Sequence, residues 1–251
     1  MQLIINILFT LFLLFVSSNV FAANRYWVGG TATWDGTAGT KWSTTSGGAG
    51  GSAVPTNADD VYFDSASGAV TVTLSSSTTA RSIDCTGFTG TISHPAATTV
   101  SIGDATAGAS NNALKFVSGM TYTLGDVATS AITFASTSTT QQTVDFGGKT
   151  VGNITFGTSG TPNYAIISAI NTGSTATVTS TFGHLYLDGP SSNLGLSHAF
   201  GKFAASASNV RTINLGTATY TLSGTSINWN MSTTNNITLV ATSSTIISLG
   251  S

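Results

Sequence analysis

Ala69-Val70-Thr71-Val72-Thr73-Leu74 sets apolar and hydroxylated residues in alternation. Successive side chains of a β-strand point to opposite faces, so this period of two marks a strand with one face buried and one wet. The pattern returns in Thr121-Tyr122-Thr123-Leu124, Ala131-Ile132-Thr133-Phe134 and Thr219-Tyr220-Thr221-Leu222. It returns again in Ile227-Asn228-Trp229-Asn230-Met231 and Asn236-Ile237-Thr238-Leu239-Val240. These strands are short and closely spaced, with Gly, Asn, Ser and Thr at the corners between them. Two architectures suit such text. One is a parallel β-solenoid, each coil contributing two or three short strands that stack on the next. The other is a β-sandwich or jelly-roll pair. Uniformly short strands favour the solenoid. So does the spacing of Leu215 and Leu239, which matches one coil of three strand-turn units.

Composition points the same way. Hydrophobic residues make up 41% of the 251 positions, but charged residues only 6%. All nine acids are aspartate, and Ser and Thr together supply roughly a third of the chain, far above average usage. A helical surface draws on Glu, Lys, Arg and Gln, whereas Thr and Val prefer strands. The chain is therefore expected to be all-β. Net charge is −2, and the seven Lys and Arg are scattered singly from Arg25 to Arg211. Binding a nucleic-acid backbone takes clustered positive charge, so no nucleic-acid partner is expected.

The N-terminus reads as an export signal. Leu3 to Val16 is an apolar run, and Val20-Phe21-Ala22 offers modest side chains at the −3 and −1 positions of a signal-peptidase site. Cleavage after Ala22 is expected, giving a secreted or cell-surface protein with no membrane attachment after signal removal. An uncleaved anchor is the rival, but the run is shorter than the ~20 residues a spanning helix needs. The single cysteine, Cys85, cannot form an internal disulfide. Its strand-like setting predicts a buried core residue rather than a catalytic thiol.

Residues 23–64 carry Trp27, Trp34 and Trp42, the glycine-rich run Ser46–Ser52 and the turn-forming Pro55-Thr56-Asn57-Ala58-Asp59 ahead of Val61-Tyr62-Phe63. Tyr26-Trp27-Val28-Gly29-Gly30, Trp34, Trp42 and Pro55…Asp59-Asp60-Val61-Tyr62-Phe63 resemble the start of autotransporter-like and related repetitive bacterial surface proteins. In those a W-x-G-G…W…W…P-x-x-x-D-D-V-x-F module precedes a right-handed β-helix passenger. Val144-Asp145-Phe146-Gly147-Gly148-Lys149-Thr150 through Phe156 looks like the degenerate repeats of such passengers, and similar text occurs in phage-associated structural proteins. The resemblance implies a right-handed parallel β-helix. Residues 1–22 would be its signal, 23–64 an aromatic N-terminal cap and 65–251 its coils. Unlike an autotransporter, the sequence reaches Ser251 without the alternating segments of a membrane barrel. The C-terminal end is accordingly expected to be covered by further repeats or by a partner.

Chemistry-bearing residues are few. Asp59, Asp60 and Asp64 flank a strand and read as turn caps, with a calcium site or a catalytic pair as rivals. His94, before Pro95, reads as a turn residue, and His184 and His198 are placed to approach across one coil without completing a zinc set. Gly47–Gly51 lacks a following Lys-Ser/Thr and reads as a loop, not a phosphate cradle. No cofactor is expected. Tyr26, Trp27, Trp34, Trp42, Tyr62 and Phe63 form either a buried cap or an exposed platform on which Trp27, Trp34, Trp42 and Tyr62 contact glycans. The expected function is a non-enzymatic structural or adhesive surface rod whose partners are surface glycans or other surface proteins. A carbohydrate-binding or carbohydrate-active β-helix is the alternative.

Overall fold

The computed structural model describes residues 22–225, 228–233 and 235–249. The apolar run Leu3–Val16, and with it the predicted signal, lies outside them, as does Ile227 of one predicted strand. The described chain is almost entirely short strands, and its two helical segments, Ser65–Ser67 and Ala109–Asn111, are single 3₁₀ turns.

The strands stack as a parallel β-solenoid. One sheet holds ten strands, of which Trp42–Ser43 at one edge runs antiparallel and the other nine run parallel. From Asn24–Trp27 to Ile237–Val240 these nine are successive turns of the chain, here called face A. Face B stacks Ala32–Trp34, Thr71–Leu74, Thr91–His94 and Thr121–Leu124. A seven-stranded sheet from Thr79–Ala80 to Trp229–Asn230 forms face C. From Thr150–Val151 onward a five-stranded sheet ending at Thr245–Ser248, face D, follows face A in each coil. Parallel strands lie about 4.8 Å apart, so nine coils make a column of about 40 Å.

Alternation builds the core. In Thr71–Leu74 the threonines are part-exposed while Val72 and Leu74 are buried. The next coil sets Ile92 against Val72, and the following one sets Tyr122 against Ile92. Aromatic side chains stack where register permits. Phe134 lies on Phe156 with ring centroids 4.9 Å apart and planes 4° from parallel. His198 lies on Tyr220 at 5.1 Å. Glycine enters where backbone crosses backbone: Gly183 has φ +74°, and a Cβ there would collide with the Pro162 carbonyl.

Two expectations need correction. Leu239 pairs with Ile213 rather than marking a repeat of Leu215, because the coils are unequal in length. Residues 23–64 are also not a cap set apart from the coils. Asn24–Trp27 and Ala32–Trp34 pair in parallel with the strands above them, so they are already the first coil, and Asp60–Tyr62 opens the second. Only the antiparallel Trp42–Ser43 strand works as a lid, covering the edge of face A that would otherwise be open.

Candidate functional site

The predicted glycan-contact residues are the first to place. Trp27, Trp34 and Trp42 each have 0% of their surface exposed. The Trp42 ring meets Trp27 and Trp34 edge-on, both at 5.0 Å, and Phe63 fills the space beside all three. No face of these indoles reaches solvent, so the glycan-platform assignment of Trp27, Trp34 and Trp42 does not hold in this fold. Burial of so much aromatic surface is the physical reason. Trp27 Nε1 donates to the Gly30 carbonyl at 2.9 Å, while the Trp34 and Trp42 indole N–H groups have no acceptor among the described residues. Tyr62 alone reaches the surface. One face of its ring is covered by Tyr26 at 4.8 Å and 16°, so it too offers no open double-sided platform. Burial, and after it the Asp60 charge, pushes the Tyr62 phenol up to about 12.

The aspartates do structural work at the first coils. Asp64 accepts from the Ala66 and Ser67 amides and caps a 3₁₀ turn. Asp59 accepts from the amides of Ala23 and Thr56 and the Thr56 hydroxyl, with Arg25 3.8 Å away. Asp60 is buried and holds the Arg81 guanidinium through both carboxylate oxygens, together with the Ser82 hydroxyl and the Ala109 amide. That hydrogen bond to Asp60 raises the Arg81 pKa. Each carboxylate is engaged by N–H and O–H donors, and the three do not converge as calcium ligands do. Among the described residues there is no grouping of three metal-ligating side chains.

The histidines also change role. His94 ends a strand and is buried, its Nδ1 2.6 Å from the Tyr122 hydroxyl and its Nε2 2.8 Å from the Thr98 carbonyl. It is a core residue, not a turn residue. His184 lies on face A and His198 on face D, so the two do not face each other across one coil. Cys85 is fully buried, and burial pushes its thiol well above the usual range.

Sequence reasoning missed what register brings together on the outside. Along face A, Tyr26, Tyr62, Asp84, Lys115 and Asp145 occupy paired positions on five successive strands. Their side chains are all half-buried. Asp84 and Asp145 each give one oxygen to their own turn, to Thr86 and Gly147, and Lys115 lies between them. On face B the outward positions form two rows, Thr71, Thr91, Thr121 and Thr33, Thr73, Ser93, Thr123. Face C repeats the device in Thr79, Ser101, Thr133, Thr155 and Thr179. The alternating text was the signal for these hydroxyl rows. The charged row had none, since its members come from coils of unequal length. Comparison with protein-family models, curated proteins and solved structures gives no match.

Proposed function

We propose that this chain is an exported, non-enzymatic structural or adhesive surface protein whose outer faces make many weak, equivalent contacts. The hydroxyl rows of face B carry the reading. Seven outward positions on four stacked strands are six threonines and one serine, with no charge and no aromatic ring among them. Thr suits any wet strand face, whereas one outward row of face A carries Tyr26, Tyr62, Asp84, Lys115 and Asp145. Equivalent groups repeated at strand spacing supply avidity without a single strong site. Its partners are surface glycans or other surface proteins.

Changing Thr71, Thr91 and Thr121 to Val keeps strand propensity and removes three hydroxyls. Retention of coated beads on polysaccharide or on cells is expected to fall several-fold in the triple variant and hardly at all in each single one. An equal loss from one single variant points to a discrete binding module, and no retention by the wild type removes the adhesive reading. Export has its own check. The apolar Leu3–Val16 run and Val20-Phe21-Ala22 predict a mature N-terminus at Ala23 in an exporting host. Secreted protein that begins at Met1 by mass spectrometry would contradict it.

The carbohydrate-active alternative has one observation in its favour, the Asp84–Lys115–Asp145 row. Two carboxylates two strands apart lie on the order of 10 Å from each other at Cα, near the separation used by inverting glycosidases. Polysaccharide cleavage abolished by Asp84→Asn or Asp145→Asn is the result that would favour it.

A further inference from the structure

Eight of the nine aspartates accept a hydrogen bond from a protein donor: Asp35, Asp59, Asp60, Asp64, Asp84, Asp126, Asp145 and Asp188. Among the described residues the carboxylate of Asp104 accepts none. Its backbone, by contrast, is held firmly. The Asp104 carbonyl accepts from the Ser136 hydroxyl at 2.8 Å and the Thr137 amide at 3.0 Å, both from the next coil. The preceding Gly103 has φ +134°, and a Cβ there would collide with the Ser136 amide nitrogen, so only glycine lets the two coils approach at this point.

Asp104, whose charge also acts on the Arg81 guanidinium, lines an open groove of about 380 Å³ beside the first strands of face C. The groove's other polar side chains are Asn57, Thr79, Ser101 and Thr137, and its apolar lining is no larger than Ala105 and Ala135. Thr79 and Ser101 are the first two members of the face C hydroxyl row, so the groove opens directly onto that row.

We propose that this groove is a subsite for one neutral sugar residue, with Asp104 accepting hydrogen bonds from neighbouring ring hydroxyls and Asn57 and Thr137 completing the contact. A carboxylate, an amide and hydroxyls together match a polyol, which both donates and accepts at closely spaced oxygens. A lone carboxylate is a poor cation cage, since calcium takes six to eight oxygens. A peptide side chain would want an apolar pocket that alanines do not make. The subsite deepens the adhesive reading and rests on it, because it names glycan as the surface held.

The test uses the mature chain and amide chemical-shift mapping with the methyl glycosides of glucose, galactose, mannose and N-acetylglucosamine. At least one glycoside is expected to shift the amides of Asn57, Gly103, Asp104, Ala105 and Thr137. Asp104→Asn keeps the shape and the two backbone bonds and is expected to weaken that binding about tenfold or more, the scale of one charge-assisted hydrogen bond. The proposal is overturned if no glycoside shifts these amides, if shifts fall elsewhere, or if Asp104→Asn binds as the wild type does. Loss of binding on chelation would also overturn it, by making Asp104 a metal ligand. Bead retention separates the two readings. Retention without glycoside binding removes the groove alone, whereas glycoside binding without retention removes the adhesive rod and leaves the subsite.

Discussion

His198 shows how one buried side chain ties the fold to pH. Its Nδ1 accepts the Ile170 amide at 3.0 Å and its Nε2 donates to the Leu187 carbonyl at 2.6 Å. Both nitrogens are satisfied only in the neutral Nε2–H form. Burial lowers its pKa to about 4, against smaller raising effects from Leu187 and Asp188. The unfolded chain therefore binds a proton that the folded chain refuses between about pH 6.5 and 4, and stability falls as pH drops through that window. The loss is about 3 kcal/mol at most for a shift of this size. Melting temperature followed from pH 7 to pH 4 should decline, and His198→Gln, though less stable at pH 7, should show a shallower decline. Parallel curves would place the acid sensitivity elsewhere. At this scale the sequence was legible for Asp64, whose turn sits beside it, and for Cys85 in its strand-like setting. It was not legible for Asp60, because its partner Arg81 belongs to the following coil and only register brings them together.

Period two identified several strands and, in Thr71–Leu74, Ala131–Phe134 and Thr219–Leu222, their inward residues, because alternation is a property of each strand alone. Which strands share a face is a property of the loops between them, and those vary. Face B gives way to face D after Thr121–Leu124, a change no local pattern announces. The antiparallel Trp42–Ser43 lid was equally hidden, although the tryptophans that anchor it stood out. The lid has a measurable worth. Trp42 packs on Trp27, Trp34 and Phe63 with no exposed surface. Trp42→Ala should cost about 3–5 kcal/mol, the cost of emptying a large aromatic site. It should also expose the edge strand Asn24–Trp27 and promote association. Trp34→Ala should cost as much without uncovering that edge, so it should melt early but remain monomeric. Wild-type melting in both variants would mean that the indoles are not the core they form here.

The two ends of the column differ, and the difference predicts how it opens. At the first coil the Trp42–Ser43 strand seals face A over fully buried aromatics. At the last described coil, Ile237–Val240 and Thr245–Ser248 pair on one side only, and Leu239, Val240, Ile246 and Ile247 are 38–48% exposed. In a solenoid each coil gains stability chiefly from its neighbours, so a coil with one neighbour is held by about half as much interface as an interior one. Opening should begin at Thr245–Ser248 and Ile237–Val240 and proceed toward the tryptophans. Native-state hydrogen exchange should show amide protection rising along face A from Ile237–Val240 through Arg211–Asn214 and Gly183–Tyr186, with the highest values near Val61 and Ile83. A strand or partner that pairs with the last coil should raise protection there first and shift the whole gradient upward. Lysine at Ile246 and Ile247 should reduce association through that edge while leaving protection of the Trp42 lid unchanged. If all strands exchange at one common rate instead, the column opens as a single cooperative unit. Its stability is then not divided coil by coil.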